Sequence, residues 1–475
     1  MVICKNTKGE CFIMQNEVIS DAKKRIISFL DEKSFVEFDE LVDSGVITGY
    51  GTVFGRPVCI FSQDFSVMLG AITYKNSEKI CNIIDMAVKN GVPLIGFYDS
   101  MGAKIDEGIK VFSGLQNVLV KLANASGVIP EISVVLGTVT GIATFAVNFS
   151  DFVFMIENRS KMFINSPQVL TAKTGCDVTA EDIGGTGVHS EKTGSCHFSC
   201  KNEDDCFGKL KELLSFLPDN NLADTEIIES DDLNRVCDEL LGENVTARCV
   251  ISSISDENRF FEISSDFGKN IIIGFCRVGG RTVGIVANNF EYNEGKLTIL
   301  GIEKASKFVR FCDAFNIPIV TLIDNDGFEE SVEEELHGAV KSSSRLLFAY
   351  ADATVPKIDV IFGKAFGGAN LMMGTAADVV LAWNSSKISV LEPMSAVNIL
   401  FSDEIANSES PIEFRNEKLR EYLADNALPE NAAKDGFISA VISPNETRQR
   451  IISALDMFSG KREIRIAKRH ESVTF

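Results

Sequence analysis

The sequence predicts an α/β protein made of two copies of one unit, and three observations carry that prediction. The first is a repeat. Gly51 to Arg56 returns as Cys276 to Arg281, Glu78-Lys79 as Glu303-Lys304, and Asp99 and Gly102 as Asp324 and Gly327, all 225 residues apart. With one inserted residue, Pro130, Gly137, Gly141 and Ala143 return as Pro356, Gly363, Gly367 and Ala369, and Ser160-Lys161 and Pro167 match Ser386-Lys387 and Pro393. A fixed period marks a duplicated structural unit, and at this spacing the unit is a whole domain. The second observation is an alternation of short apolar runs with helix-length amphipathic segments, which implies crossover βα units around a sheet. The third is a run of small residues just after equivalent strands, Gly137 to Ala143 and Gly363 to Ala369.

Along the chain, Val53 to Phe61 reads as a hairpin whose second strand is apolar. Ser77 to Asn90 places Ile80, Ile83, Ile84 and Ala87 on one helical face, and Gly91 supplies the C-terminal stop. Pro93 to Phe97 is a short buried strand ending at Asp99, Ile105 to Ala125 is helical, and Ile132 to Leu136 is the next strand. Leu217 to Asp232, acidic and polar, reads as the linker. Arg415 to Tyr422 and Glu446 to Met457 read as helices closing the second copy, and Lys461 to Phe475 as a basic tail. Ile132 to Ser150 holds no charge over a length that could span a bilayer. Its glycines, threonines and asparagine, and Asp359 and Lys364 in its repeat partner, point instead to a buried strand running into a helix.

Composition narrows the partners. The 475 residues are 45% hydrophobic and 24% charged, ordinary for a globular chain with a large core. A net charge of −21 argues against a nucleic-acid groove or an anionic membrane surface, so no nucleic acid and no membrane insertion are expected. Twelve unevenly scattered cysteines and a mixed polar start, Met1 to Val18, fit reduced thiols and a cytoplasmic protein.

The chemistry is expected at the strand ends. A small-residue turn opening a helix lets backbone N–H groups converge on an oxygen, and the helix dipole favours negative charge there. Aimed at a carbonyl oxygen, such a pair stabilises an enolate or a tetrahedral oxyanion. Two copies give two such holes, suited to moving a group between two carbonyl compounds. The same small residues also let a helix pack closely on a sheet.

Several ordered blocks carry a family resemblance over nearly the whole chain. Ser44 to Phe65, Ser77 to Ala87 and Ile183 to Gly194 in the first copy resemble the carboxyltransferase (beta) subunits of biotin-dependent acyl-CoA carboxylases. So do Gly280 to Asn288, Phe308 to Pro318, Ala349 to Lys357 and Lys364 to Asn370 in the second. The group includes acetyl- and propionyl-CoA carboxylase beta and subunits like methylmalonyl-CoA decarboxylase alpha. The resemblance implies two tandem crotonase-like domains of the ClpP/crotonase superfamily. Residues 1–220 would be the acyl-CoA-binding domain, with an N-terminal helical hairpin over Ser20 to Leu41; 221–232 would be a linker, and 233–475 the biotin-binding domain.

It further implies that carboxybiotin, carried on a separate biotin carboxyl carrier protein, exchanges a carboxyl group with the α carbon of a short-chain acyl-CoA. The products would be malonyl- or methylmalonyl-CoA from acetyl- or propionyl-CoA. A biotin carboxylase subunit would be a further partner, and a dimer-based homo-oligomer, up to a hexamer, the assembly. By motif position, the amides of Gly141 and Ile142 would hold the thioester enolate and those of Gly368 and Ala369 the biotin carbonyl oxygen. Gly102, Ala103, Lys104, Ala143 and Gly367 would line the substrate, and Leu371 would bear on acyl-chain choice. No metal is expected in this subunit.

The chain departs from the family at Ile142, where glycine is usual and a β-branched residue resists positive φ. Met101, Lys104, Asn76 and the loop Leu69 to Thr73 are further departures in the first copy, and Leu391 to Met394 in the second. These leave room for a paralogue with altered substrate or weakened catalysis acting as a complex partner; a decarboxylase subunit feeding a membrane pump is a separate alternative. Cys196, His197, Cys200 and Cys206 lack the usual zinc spacing. His189 fits a structural role as well as a catalytic one, and Asp99 and Asp324 are expected to cap the helices after them.

Overall fold

The computed structural model describes residues 2–5, 11–14, 19–42, 44–463 and 465–466, so the N-terminal stretch and the expected basic tail lie mostly outside the described residues. The chain forms two compact units, one of residues 1–186 and 200–207 and the other of residues 187–199 and 208–475. In the first, Val36–Phe38, Val46–Val53 and Arg56–Gln63 run antiparallel. Leu94–Ser100, Glu131–Thr140 and Phe152–Ile156 then continue the sheet in parallel. The second unit repeats this order with Phe260–Ile263, Ile271–Val278, Arg281–Asn288, Ile319–Asn325, Lys357–Phe366 and Val379–Trp383, and its far edge is Ala440–Ile442, as Phe198–Cys200 is the far edge of the first sheet.

Parallel neighbours need helical crossovers, and the amphipathic segments supply them. Tyr74–Asn90 buries Ile80, Ile83, Ile84 and Ala87, the face read from the sequence, and Gly91 ends it at φ +61°. Ile299–Ala314 is its counterpart, burying Ile302, Ala305, Phe308 and Val309. The uncharged stretch after Pro130 is a buried strand followed by the helix Ala143–Phe149. No described helix is long and apolar enough to cross a membrane.

The N-terminal region differs from expectation. Ser20 to Leu41 is not a helical hairpin: one helix, Asp21–Phe29, is followed by the edge strand Val36–Phe38. The Asp31 carboxylate explains the change. It accepts from the Thr52 hydroxyl at 2.7 Å and from the amides of Phe54 and Gly55 at 3.1 and 2.8 Å. These bonds pin the chain to the hairpin tip, and the residues after Asp31 then pair with the sheet. The stretch read as linker holds no helix or strand, but it is fastened to the second unit. The Ile228 amide donates to Gly280, and Asp231 accepts from Arg235. Arg448, fully buried, contacts Asp256 at 2.5 Å and donates to the Asp232 carbonyl at 2.8 Å. Asp256 also accepts from the amides of Gly279 and Gly280 at the hairpin turn.

Asp99 and Asp324 cap no helix. Each ends a parallel strand with its carboxylate in the space left by a glycine on the next strand. A Cβ on Gly137 would lie 2.1 Å from Asp99 Oδ1, and one on Gly363 2.1 Å from Asp324 Oδ1. The Asp324 carboxylate accepts the Lys364 amide at 2.8 Å, and the Thr138 amide is the equivalent donor to Asp99. Strand register shifts at these points, between Tyr98 and Ser100 and between Ile323 and Asn325, so each aspartate holds a bend. Burial raises both carboxyls above their ordinary value; Arg25, 3.5 Å from Asp99, opposes that shift.

The copies differ most sharply where the next strand begins. Lys357 donates through Nζ to the carbonyls of Tyr350 and Ala353, both at 2.8 Å, closing the end of the helix Ala339–Asp352. Its repeat equivalent is Glu131, buried, with neither carboxylate oxygen hydrogen-bonded. The two amides share one partner type, Asp151 for Glu131 and Asp378 for Lys357, which confirms the correspondence. Burial, with Asp151 adding to it, pushes the Glu131 carboxyl up to about 9.

These contacts can be tested by substitution. Gly137→Ala should destabilise the chain by ~1–3 kcal/mol through overpacking. Asp99→Ala should offset part of that loss in a double-mutant cycle of denaturant melts. Arg448→Met, leaving Asp256 buried without its cation, should cost about 3–5 kcal/mol, measured the same way. Glu131 is protonated in the folded chain, whereas the unfolded group ionises near 4.5. Its stabilising contribution is therefore complete below that pH and is lost as pH rises through about 9. Glu131→Gln should raise the melting temperature at pH 8 far more than at pH 4.5, and equal shifts at both would sink this account.

Candidate functional site

Each unit holds one turn of the kind read from the sequence. In the first, Glu131–Thr140 runs into Gly141 at φ +57°, then Ile142 and the helix Ala143–Phe149. A short strand, Lys161–Phe163, pairs alongside the strand's end, Thr140 opposite Phe163. That pairing continues one residue further, so the Gly141 amide donates to the Phe163 carbonyl at 3.0 Å. Gly141 therefore makes the turn rather than presenting a donor. The first hydrogen bond of the turn runs from the Thr144 amide to the Gly141 carbonyl at 3.2 Å. The amides ahead of it, Ile142 and Ala143, are those a helix start leaves for an outside acceptor. Ile142 sits at φ −65° and ψ −19°, helical values open to a β-branched residue, so the strain expected there is absent.

Gly102, Ala103 and Lys104 join this turn. A Cβ on Gly102, at φ +94°, would stand 3.2 Å from the Thr140 carbonyl oxygen. Ala103 bridges Ile72: the Ile72 amide donates to Gly102 at 2.7 Å and the Lys104 amide to Ile72 at 2.9 Å. Asn76 fixes the same loop from behind, accepting from the Thr73 amide and donating to the Ala71 carbonyl, both at 2.8 Å. Glu107 accepts the Tyr74 amide at 2.9 Å and lies 3.7 Å from Lys104. Gly70, at φ +65°, could carry no Cβ, which would fall 2.0 Å from the Asp99 carbonyl oxygen. Met101, beside it, is exposed.

The second unit repeats the plan. Lys357–Phe366 ends at Gly367, φ +64°, and the helix Gly367–Met373 carries Gly368 and Ala369 in its first turn, with Leu371 exposed in the next. Lys387–Ser389 pairs beside that strand end as Lys161–Phe163 does in the first unit. The Leu297 amide donates to Gly327 and the Glu329 amide to Leu297, the counterparts of the Ile72 bonds. Gly295 matches Gly70, its Cβ position 2.3 Å from the Asp324 carbonyl oxygen. A Cβ on Gly368 would reach Phe328 Cε2 at 3.4 Å, so glycine keeps that space open beside the ring. Glu392 starts the next helix by accepting from Met394 and Ser395, at 2.8 and 2.7 Å, and those bonds hold its carboxyl below the usual range against the opposing effect of burial.

The structure thus gathers Gly102, Ala103, Lys104, Gly141, Ile142 and Ala143 in the first unit and Gly367, Gly368, Ala369 and Leu371 in the second. Sequence reasoning missed Phe163, Phe328 and the pairing of Asp326 with Lys364, 2.8 Å apart, and it named Asn76 and the loop holding Gly70 only as departures. Gly70 and Gly295 stand at the repeat spacing, a signal that was present; the other contacts depend on strand pairing. His189 bonds Thr193 Oγ1 at 2.9 Å. Among the described residues no group of His, Cys, Asp and Glu is arranged to hold a metal ion.

Comparison with known proteins places this geometry. The carboxyl transferase domain model matches residues 22–473. The chain is 40% identical to a putative propionyl-CoA carboxylase beta chain of Bacillus subtilis, covering 95% of this chain and 93% of that one. It is 38% identical to the methylmalonyl-CoA decarboxylase subunit alpha of Veillonella parvula, over 95% and 92%. The hexameric transcarboxylase 12S, solved with methylmalonyl-coenzyme A and methylmalonic acid bound, superposes with a TM-score of 0.92 at 37% identity, over 96% of this chain and 92% of that one. Duplicated α/β units, each ending a strand in a glycine turn and a helix, together with these matches, show that the chain belongs to the carboxyl transferase domain family.

Proposed function

We propose that this carboxyltransferase exchanges a carboxyl group between biotin, borne on a separate carrier protein, and the α carbon of a short-chain acyl-CoA of the propionyl/methylmalonyl class. The observation that carries the reading is the duplicated turn, one helix start per unit with amides ahead of its first hydrogen bond, in a chain that matches propionyl-CoA carboxylase and transcarboxylase subunits over 95% or more of its length. In this reading the amides of Ile142 and Ala143 hold the thioester oxygen as negative charge develops on it, and Gly102 to Lys104 with the loop at Ile72 seat the substrate. Gly368 and Ala369 receive the biotin ring oxygen, in space that Gly368 keeps open. Biotin supplies a ureido ring that carries and releases the carboxyl group; the chain supplies orientation and oxyanion stabilisation without a side-chain nucleophile. The expected carrier and biotin carboxylase partners, a homo-oligomer sharing its sites between subunits, and domain limits at 1–220 and 233–475 belong to the same proposal.

The decarboxylase direction is favoured by one observation, the 38% identity to the Veillonella decarboxylase subunit over 95% of the chain. A catalytically weakened role loses part of its motive, because Ile142 keeps both its N–H and an unstrained backbone.

The purified chain should transfer the carboxyl group of methylmalonyl-CoA to biocytin faster than that of malonyl- or glutaconyl-CoA. Ile142→Gly should keep kcat within roughly tenfold, since the amide remains. Ile142→Pro suits φ −65° and deletes the N–H, and Ile142→Gly controls for the lost side chain. The proline variant should lower kcat by about 10²–10³-fold. A native chain inert toward all three esters, with a normal melting temperature, would refute the reading.

A further inference from the structure

The two turns share a backbone plan but differ in charge, and the difference lies at one strand position. Lys364 stands two residues before the end of the strand leading to Gly367, which puts its Cα ~7 Å from that of Phe366. Its Nζ is 2.8 Å from Asp326 Oδ2 and 5.2 Å from the centroid of the Phe290 ring. An ion pair on one side and an aromatic face on another confine a side chain that otherwise roams freely. The side chain is nevertheless 40% exposed. It has three N–H bonds, and the Asp326 contact uses one. The repeat equivalents are Thr138 and Met101, so the first unit has neither charge.

Several contacts bring this cation to the mouth of the second turn. Asp326 is two residues ahead of Phe328, whose ring borders Gly368. Val390, whose carbonyl borders Gly367 at 3.7 Å from a Cβ there, and Glu392 lie on one loop, and Glu392 feels the charge of Lys364. Lys387 is the register partner of Lys364 on the adjoining strand. Asp326 Oδ1 is buried without a hydrogen bond, so this carboxylate depends on Lys364 for its compensation and in turn holds it in place.

Resting on the function proposed above, we infer that Lys364, positioned by Asp326 and Phe290, is a binding residue for the ureido end of biotin, donating to an oxygen there. In transfer toward the acyl-CoA, the bond between the ring nitrogen and the carboxyl carbon breaks with its electron pair left on the ring. The new C–C bond takes its pair from the α carbon, whose proton passes to that ring. Charge gathering on the ring as the carboxyl group leaves is what a fixed cation stabilises. An acid beside it would otherwise repel an incoming anion; here Asp326 is neutralised before the ligand arrives.

The test uses the full chain and three variants, with biocytin and propionyl-CoA affinities measured by calorimetry beside transfer kinetics. Asp326→Asn/Lys364→Met removes the pair without leaving a buried charge. It should weaken biocytin binding by about tenfold and lower kcat by about 10²-fold, with propionyl-CoA affinity kept within about twofold. Lys364→Arg should recover at least about a tenth of kcat, and Asp326→Asn, which frees the ammonium, should fall between the native chain and the double variant. Biocytin affinity and kcat unchanged in the double variant would overturn the assignment while leaving the transferase reading intact. A native chain that binds neither biocytin nor propionyl-CoA would overturn both. Should the double variant lose propionyl-CoA binding as well, Asp326→Asn decides: native biocytin affinity and native kcat in that variant would also overturn it.

Discussion

Both candidate sites depend on a carboxylate lodged where a side chain would otherwise be. Asp99 and Asp324 each fill the gap over a glycine of the next strand, and each takes an amide from the residue just beyond that glycine. The contact costs desolvation, which is why both carboxyls sit above their ordinary range. In return it fixes where two neighbouring parallel strands bend apart. Everything chemical lies within a few residues of that bend: Gly70 and Gly295 pressed against the aspartate carbonyls, Gly102 and Gly327 in the adjoining loop, and the turns at Gly141 and Gly367. A helix start can act as an anion hole only if its first amides point at a fixed place. Here the place is fixed by the strand ends rather than by the short helices, whose seven residues have little rigidity of their own.

The two copies keep this scaffold and diverge in what surrounds it. The first presents Thr138, Met101 and the paired Lys104 and Glu107; the second presents Lys364, Asp326 and Glu392. Ser166 and Glu392 illustrate the pattern well. They are repeat equivalents, both start a helix whose first residue is proline, and both accept from amides of the first turn, yet one is neutral and the other charged. Duplication preserved the geometry and left the electrostatics free to specialise, as expected when backbone amides carry the common chemistry.

Much of this was legible in the sequence, because the repeat, the buried face of the helix ending at Gly91 and the glycine turns are all local patterns. What escaped was nonlocal. That Gly141 gives its amide to Phe163, and so hands the donor role to Ile142 and Ala143, depends on a three-residue strand returning beside the first. The aspartates looked like helix caps because acids before helices usually are, but their partners lie across the sheet. Ile142 looked strained because a glycine position suggests positive φ, whereas the turn confines positive φ to Gly141. Ser20 to Leu41 looked like two helices, and the bonds of Asp31 to a distant hairpin made the second half a strand.

The opposite characters of Glu131 and Lys357 have a consequence for how the chain avoids confusing its own halves. Tandem copies of one fold can trade equivalent strands while they fold, and strands of matching pattern fit either sheet. These two occupy the same register beside the same kind of neighbour, Leu94 in one sheet and Ile319 in the other. If exchanged, an acid would face the helix-end carbonyls that Lys357 now satisfies, and an ammonium would enter a pocket that holds an uncharged carboxyl. A protonated carboxyl has one O–H for the two carbonyls that Lys357 now serves, and the ammonium would leave both behind, so the two residues act as labels that tell each strand which sheet is its own.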